Sequence, residues 1–353
     1  MKIEKLLAYG WNPFFAREWE GLAREDWLPG RVVADYGQRI RIVSEYGEGM
    51  AQAPGRSGNG LINPAVGDWV ALEHVAGYED YLVRCVLPRR TKFSRAAAGE
   101  ALREQVVAAN VDTVFLVQSL NHDFNLRRME RYLISTWDSG ATPVIVLTKA
   151  DICAVVEERL REVHRLAPGV DALAVSVLSG NGLITLSRYL LPGQTVALLG
   201  SSGVGKSTLV NALAGSELLK TQEIREDDSR GRHTTTHREI ILLPTGGLIL
   251  DTPGMRALSL WEADKGIREM FGDIEQLTAA CRFHDCRHQD EPGCAVRQAL
   301  DSGLLEPSHW ESWKKLQKEL AYLENRKAGQ VRQAGKEWGK EIAKLQRAQR
   351  KNR

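Results

Sequence analysis

The sequence predicts a mixed α/β protein in which a small β-barrel precedes an α/β domain and a helical, metal-binding region follows it. Three observations support this: short β-rich segments near the N-terminus, a glycine-rich loop between a strand-like and a helix-like segment, and a cysteine cluster near the C-terminus. The 353 residues are enough for two or three domains with sizeable cores. We expect an N-terminal extension over residues 1–28, the barrel over 29–104 and the α/β domain over 105–260. The metal-binding region should cover 261–325 and a basic tail 326–353.

Short β-rich segments separated by glycine-containing turns predict the barrel. They cover residues 31–36, 39–43, 67–72 and 81–87. Such a series of short strands favours an oligonucleotide-binding (OB) barrel, with a small SH3-like barrel as the alternative. The basic segment 88–92 indicates either a contact with RNA phosphate or a solvated linker.

A glycine-rich loop, Gly200-Ser-Ser-Gly-Val-Gly-Lys-Ser-Thr208, organises the α/β domain. It matches the pattern GxxxxGKST and lies between a strand-like segment, 195–199, and a helix-like segment, 209–213. In that context the backbone N–H groups surround a phosphate, Lys206 reaches the β- and γ-phosphates, and Ser207 holds Mg²⁺. The alternative is a glycine-rich turn with an unrelated lysine. The predicted phosphate-binding residues are Gly200, Ser201, Ser202, Gly203, Val204, Gly205, Lys206, Ser207 and Thr208.

A second motif, Thr148-Lys-Ala-Asp151, follows the buried strand predicted over 143–147 and indicates guanine recognition. The Asp151 carboxylate can accept hydrogen bonds from guanine N1–H and from the N2 amine, whereas adenine leaves it unpaired. Thr148 stands where guanine sites usually have Asn, and Asp151 could instead cap a helix beginning at Ile152. The predicted base-binding residues are Thr148, Lys149, Ala150, Asp151 and, after the next strand, Ser176.

Two further segments predict switches that respond to the nucleotide. In the polar stretch 221–236, we expect one threonine among Thr234, Thr235 and Thr236 to complete the Mg²⁺ shell, and we favour Thr235. A predicted hairpin then leads into Asp251-Thr-Pro-Gly254, where Asp251 binds Mg²⁺ through water and the Gly254 N–H senses the γ-phosphate. No glutamine follows Gly254 to orient water, so His233 is the catalytic candidate; the alternative is a histidine that merely packs in its loop.

The order of these motifs is reversed relative to ordinary GTPases. The base-binding elements at 148–151 and 176–182 precede the phosphate loop at 200–208, although they normally follow it. We therefore predict a circularly permuted P-loop GTPase domain.

The cysteine cluster predicts a structural zinc site. Cys281, Cys286, His288 and Cys294 follow the spacing C-x4-C-x-H-x5-C, and three thiolates with one imidazole complete a tetrahedral Zn²⁺ shell. His284 competes with His288 on spacing alone, and unmetallated thiols are the alternative. A helix carrying tryptophans near 310 is expected to pack on this cluster.

Charge is unevenly distributed along the chain. The net charge is only +2, but the segment 326–353 carries ten Lys or Arg residues against two Glu residues. This pattern favours nucleic acid as the partner of the tail; a solvated terminus is the alternative. No apolar run approaches the length of a membrane span, so we expect a cytoplasmic, monomeric protein without membrane contact.

These motifs together resemble the ribosome small-subunit-dependent GTPase A family. The resemblance rests on 148–151 ahead of 200–208, on 231–236, on 251–254 and on the cysteine spacing, and it covers nearly the whole chain. It implies a GTP hydrolase with GTP or GDP, Mg²⁺ and one structural Zn²⁺. It also implies a late-stage maturation factor that binds the small ribosomal subunit and its rRNA and is stimulated by that subunit. Two other functions remain open: an RNA-binding module that uses GTP as a switch with negligible turnover, and a P-loop ATPase or kinase.

Overall fold

The structure, a computed structural model, describes residues 3–22, 24–53, 62–96, 104–121, 123–218, 238–251 and 264–321. The chain divides into two compact units. The first comprises residues 1–94 and 106–258, and the second comprises residues 95–105 and 259–353. The finer division into five regions stays a prediction.

A closed five-stranded barrel occupies the N-terminal part of the first unit. Its strands are β1 Trp27–Asp35, β2 Arg39–Ser44, β3 Gly47–Gln52, β4 Trp69–Glu73 and β5 Tyr81–Val86. They pair in the order β1-β2-β3-β5-β4, and β4 pairs with β1 again to close the barrel. Only β3 and β5 pair in parallel. The predicted OB-like barrel is confirmed.

The N-terminal extension packs on this barrel. It contains helices α1, Ile3–Ala8, and α2, Pro13–Glu20. Helix α2 begins where the Asn12 side chain accepts hydrogen bonds from two backbone N–H groups of the first turn. The rings of Trp11 and Phe15 then lie 4.7 and 5.7 Å from the ring of Trp69, between centroids. These aromatic contacts bury one side of the barrel.

In the basic segment after β5, Arg89 bonds to residues of the protein itself. The guanidinium forms two hydrogen bonds of 2.7 Å to the Asp68 carboxylate, which is completely buried. It also donates to the Asn63 carbonyl at 3.1 Å. Arg89 therefore stabilises the loop that leads into β4.

Eight more strands are described, and six of them extend the barrel sheet into an α/β sheet. They are β6 Lys92–Ala96, β7 Glu104–Ala109, β8 Thr113–Ser119, β9 Thr142–Thr148, β10 Asp171–Ala174, β11 Thr195–Leu199, β12 Arg238–Leu242 and β13 Leu248–Asp251. Strands β6 and β7 form a separate pair, while the others follow the order β10-β9-β8-β11-β13-β12. All neighbours in that order are parallel except β12, which is antiparallel to β13. Every residue of β8 and β11 is buried, as in a sheet covered on both faces.

Within the described residues, four helices accompany this sheet: α3 Leu126–Ser139, α4 Val156–Leu166, α5 Leu183–Ser187 and α6 Lys206–Ala214. Helix α3 begins where the Asn125 side chain accepts the backbone N–H of Arg128, and it ends at Gly140, whose φ is 87°. The core between sheet and helices includes the buried side chains of Phe115, Val146 and Leu209. This core holds the carboxyl ends of the parallel strands in fixed positions.

One buried arginine joins the barrel to the α/β sheet. Arg31, in β1, is 1% exposed. Its guanidinium donates to Thr195 Oγ1 at 2.9 Å, to the Asn110 carbonyl at 3.1 Å and to the Tyr9 carbonyl. Burial lowers the pKa of Arg31 to about 10, so the group stays charged at neutral pH. It therefore connects the N-terminal extension, the barrel and the start of β11.

We expect Arg31→Met to destabilise the first unit by about 2–4 kcal/mol, because three buried acceptors lose their donor. Urea denaturation followed by tryptophan fluorescence measures this change. Arg39→Met is the matched control, since Arg39 is exposed and pairs with Asp80 at 2.7 Å. The control should cost less than about 1 kcal/mol. Equal costs for the two variants would contradict the role given to Arg31.

The second unit is helical. Its described helices are α7, Asp264–Ala279, α8, Ala295–Asp301, and a helix that includes residues 307–321. Ile274, Val296 and Leu316 are buried in this unit. No helix in the described part of the chain combines the length and the apolarity needed to span a membrane.

Candidate nucleotide site and metal centre

The predicted nucleotide-binding motifs meet at one edge of the α/β sheet. Parallel strands β10, β9, β8 and β11 are neighbours, so their carboxyl ends lie side by side. The Thr148–Asp151 motif follows β9, Ser176 follows β10, and the phosphate loop follows β11. Ligands of open α/β sheets bind at this edge.

The phosphate loop connects β11 directly to α6. Helix α6 begins at Lys206, and its N-cap, Gly205, has a φ of 94° and no side-chain cap. A Cβ added at Gly200 would lie 2.3 Å from the Val117 carbonyl oxygen, so this position accepts only glycine without a shift of backbone. The loop thus directs uncapped backbone N–H groups and the helix N-terminus toward one point, as an anion site requires.

Among the side chains of the loop, Lys206 bonds to the backbone of the loop itself. Lys206 Nζ donates to the Gly200 carbonyl at 2.8 Å and to the Ser201 carbonyl, which holds the ammonium over the loop. Ser207 is half-buried in the first turn of α6, and Ser202 and Thr208 are exposed.

The base motif contacts the phosphate loop directly. Thr148 Oγ1 lies 2.6 Å from the Val204 carbonyl oxygen and 3.2 Å from that of Gln118. A hydroxyl has one proton, so the shorter contact is its hydrogen bond. Lys149, whose φ is 61°, donates from Nζ to the Gly203 carbonyl at 3.1 Å. Thr148 and Lys149 therefore fix the base motif against the phosphate loop.

Asp151 lies on a single 3-10 turn, Ala150–Ile152, and is exposed. Helix α4 begins only at Val156, and its N-cap residue, Val155, makes no side-chain cap. The alternative that Asp151 caps a helix beginning at Ile152 is therefore wrong. The carboxylate has no hydrogen-bond partner among the described residues, so it can accept from a base.

The loop after β10 lies beside this turn. The Ala150 N–H donates to the Val175 carbonyl at 3.1 Å, which connects the two loops. Ser176 is buried; its N–H donates to the Asn181 carbonyl at 3.0 Å, and its Oγ accepts the Ser179 N–H at 3.2 Å. Ser176 shapes a compact turn next to Asp151.

Asp251 ends β13, which pairs in parallel with β11, so its backbone lies near the phosphate loop. Its side chain is not among the described groups. The predicted roles of His233, Thr235 and Gly254 fall on residues outside the described part of the chain.

The cysteine cluster of the second unit brings four potential metal ligands together. The three Sγ atoms and one ring nitrogen of Cys281, Cys286, His288 and Cys294 all lie within 4.8 Å of one another. His288 Nδ1 is 3.5 Å from Sγ of Cys281 and of Cys294, and those two Sγ atoms are 4.0 Å apart. A tetrahedral zinc shell with Zn–S bonds of about 2.3 Å has ligand separations of about 3.5–4 Å. The donors and their spacing fit Zn²⁺, and the cluster does not include His284.

The thiols of the cluster differ in acidity. Burial and the neighbouring thiols of Cys294 and Cys281 raise the pKa of Cys286 to about 11. Burial also opposes ionisation of Cys281, but backbone N–H groups of Val296 and Ala295 outweigh it and lower its pKa. A bound cation would favour the thiolate form of all three cysteines.

Neighbouring groups hold the histidine ligand in place. His288 has a φ of 58°, and the Trp310 ring contacts it edge-on at 5.5 Å. The Glu291 carboxylate accepts the N–H groups of Arg287 at 2.9 Å and Gln289 at 2.8 Å. Those backbone donors lower the pKa of Glu291 to about 2, so it stays charged. The predicted packing of the helix that carries Trp310 on this cluster is confirmed.

Comparison with known proteins identifies the family of this chain. The sequence model of one family, described as RsgA GTPase, matches residues 86–261. A small ribosomal subunit biogenesis GTPase RsgA from Opitutus terrae is 45% identical and covers 97% of this chain and 97% of its own length. The chain belongs to the RsgA GTPase family. Another member, RsgA 1 from Listeria innocua, is 44% identical over 100% of this chain and 99% of its own.

Solved structures support the RsgA architecture. The structure of YjeQ from Thermotoga maritima has a TM-score of 0.61 and 26% identity, covering 84% of this chain and 99% of that one. YloQ, described as a circularly permuted GTPase, has a TM-score of 0.59 at 21% identity and covers 85% of this chain and 98% of its own, a likeness of fold alone. The permutation predicted from the motif order is confirmed.

This RsgA GTPase also has a cavity that is not its nucleotide site. The cavity measures about 360 Å³ and is lined by Trp11, Arg31, Trp69 and Gln194, among others. It lies at the amino ends of β8 and β11, whereas the phosphate loop follows the carboxyl end of β11.

Sequence patterns missed the partners of Thr148 in this RsgA GTPase. Thr148 bonds Val204, which is 56 residues later in the chain, and no local signal marks that pair. The pattern GxxxxGKST leaves position 204 unspecified. The sequence showed only that Thr148 stands where guanine sites usually have Asn, whereas the structure gives its hydroxyl a short hydrogen bond to the Val204 carbonyl.

We expect Thr148→Val to weaken GTP and GDP binding equally, by roughly 5- to 30-fold, because the buried Val204 carbonyl loses its donor. The ratio of GTP to ATP affinity should stay unchanged, since valine leaves Asp151 in place. Titration with fluorescent nucleotides measures both quantities. Thr148→Ser keeps the hydroxyl and serves as the control. Valine binding as tightly as threonine would contradict this role.

Proposed function

We propose that this chain hydrolyses GTP as a late-stage assembly factor of the small ribosomal subunit, in the cytoplasm. The observation that carries the proposal is the contact of Thr148 and Lys149 with Val204 and Gly203, which joins a guanine motif to a phosphate loop. Membership of the RsgA GTPase family supports the reaction, and the names of its relatives support the ribosomal role.

The proposed roles are supported by the placement of the described groups and, for Thr235, Asp251 and Gly254, by their sequence motifs. Asp151 accepts from the guanine edge, and the stem of Lys149 lies along the base. Backbone N–H groups of residues 200–208 and Lys206 bind the phosphates, and Mg²⁺ is held by Ser207 with Thr235 and Asp251. Gly254 senses the γ-phosphate. Zn²⁺ held by the cysteine cluster stabilises the second unit and takes no part in hydrolysis.

Phosphate release with and without purified small subunits tests the ribosomal role. We expect at least about tenfold stimulation, equivalent to about 1.4 kcal/mol of barrier. Large subunits and the variant Lys206→Ala are the controls, and neither should give stimulated turnover. The same rate of phosphate release with and without small subunits would contradict the ribosomal role but not GTP hydrolysis itself.

His233 is proposed to position the attacking water. His233→Ala should lower turnover by about 10²- to 10⁴-fold, the contribution of a positioned acid–base group, and leave GTP affinity unchanged. Single-turnover hydrolysis and nucleotide titration separate these two effects. His164→Ala is the control because His164 is exposed on α4. Unchanged turnover in His233→Ala would remove it from catalysis.

A further inference from the structure

Strand β12 lies between the barrel and the nucleotide-binding sheet. One edge pairs with β1, where Ala34 is opposite Glu239. The other edge pairs with β13, where Glu239 is opposite Asp251. In the barrel, Ala34 is also opposite Arg41 of β2. Arg41, Ala34, Glu239 and Asp251 therefore form one row across four strands.

An ion pair spans the middle of this row. The Arg41 guanidinium donates to the Glu239 carboxylate across Ala34, whose methyl group is completely buried. Residues of one row point to the same face of a sheet, and alanine leaves room for the longer side chains to meet above it. Arg41 is 27% exposed and also lies 3.9 Å from Glu48 of β3. The Glu239 carboxylate of β12 is thus bound by Arg41 of the barrel.

The N-terminal end of β12 lies next to both predicted switch segments in the chain order and the strand register. The strand begins immediately after residues 219–237, and its row includes Asp251, which directly precedes residues 252–254. A displacement of either segment must change the position or the pairing of β12. Because β12 shares backbone hydrogen bonds with β1, that change reaches the barrel.

We propose that β12 couples the bound nucleotide to the barrel through its pairing with β1 and the Arg41–Glu239 ion pair. A partner that binds the barrel more tightly in one nucleotide state then alters the relative affinity for GTP and GDP, because coupling between two sites is reciprocal. This inference rests on the proposed GTPase function and adds the route by which the barrel responds to the bound nucleotide.

Hydrogen exchange with GDP and with a non-hydrolysable GTP analogue tests this coupling. We expect amides of residues 31–44 to exchange about fivefold or more slowly with the GTP analogue, within the usual range of allosteric coupling. Glu239→Gln, which leaves the strand pairing intact, and Arg41→Ala should each reduce the difference to less than about twofold. The double variant should match the single ones.

Arg84→Ala is the matched control. It removes a barrel ion pair, Arg84 with Glu73, that does not involve β12, and it should keep the full difference. Identical exchange of residues 31–44 with both nucleotides, or a full difference in Glu239→Gln, would overturn the coupling. The same experiment shows separately whether the proposed function fails. In that case no nucleotide would slow the amide exchange of residues 200–214, and the proposed coupling would also be wrong.

Discussion

Replacing Asp151 with Asn will abolish the preference for guanine nucleotides. The exposed carboxylate of Asp151 is placed to accept two hydrogen bonds from guanine, each worth about 1.5–3 kcal/mol when the acceptor is charged. We expect GTP affinity to fall by roughly 10²- to 10⁴-fold, while the weak ATP affinity stays nearly the same. Competition titrations with GTP and ATP measure the two constants.

Xanthosine triphosphate provides the decisive control for Asp151. Xanthine carries a carbonyl oxygen where guanine carries the N2 amine, so the amide of Asn can donate to it while its oxygen accepts N1–H. Asp151→Asn should therefore prefer xanthosine triphosphate to GTP. A variant that binds GTP as tightly as the unaltered chain would show that Asp151 does not recognise the base.

Replacing Cys294 with Ser will remove the metal and unfold the second unit. Cys294 is buried, provides one of the four clustered ligands, and accepts the Arg297 N–H at the start of α8. Apparent zinc-binding energies of small domains are about 10–16 kcal/mol, and that energy is folding energy. We expect bound zinc to fall from about one ion per chain to near zero, with loss of helical circular dichroism.

Cys153→Ser is the control for the metal centre, because Cys153 lies in the first unit, outside the cluster. It should retain the metal and the helical signal. Protein purified after a chelator wash, free of zinc yet with an intact second unit, would contradict the structural role of the metal.

Local patterns predicted those features whose residues are close together in the sequence. The phosphate loop, the turn bearing Asp151 and the Cys281–Cys294 ligands each depend on a short segment with fixed spacing. Glycine-containing turns and short apolar runs also predicted the barrel strands near 31–36, 39–43, 67–72 and 81–87 and the buried strand near 143–147.

Contacts between distant residues were not predictable in this way. Arg31 bonds Thr195, 164 residues away, and nothing in the local pattern of its strand marks that contact. Arg89 stood in a basic run, yet it pairs with buried Asp68, which is 21 residues earlier. In both cases the tertiary fold, not the local pattern, determines where the charge is neutralised.

A crystal structure with Mg²⁺ and a non-hydrolysable GTP analogue tests most directly whether the rearranged motifs form one guanine nucleotide site. The account predicts both Asp151 carboxylate oxygens about 2.7–3.0 Å from guanine N1 and N2, with Lys206 on the β- and γ-phosphates. A nucleotide whose phosphates lie at Lys206 but whose base lies beyond hydrogen-bond reach of Asp151 would contradict it.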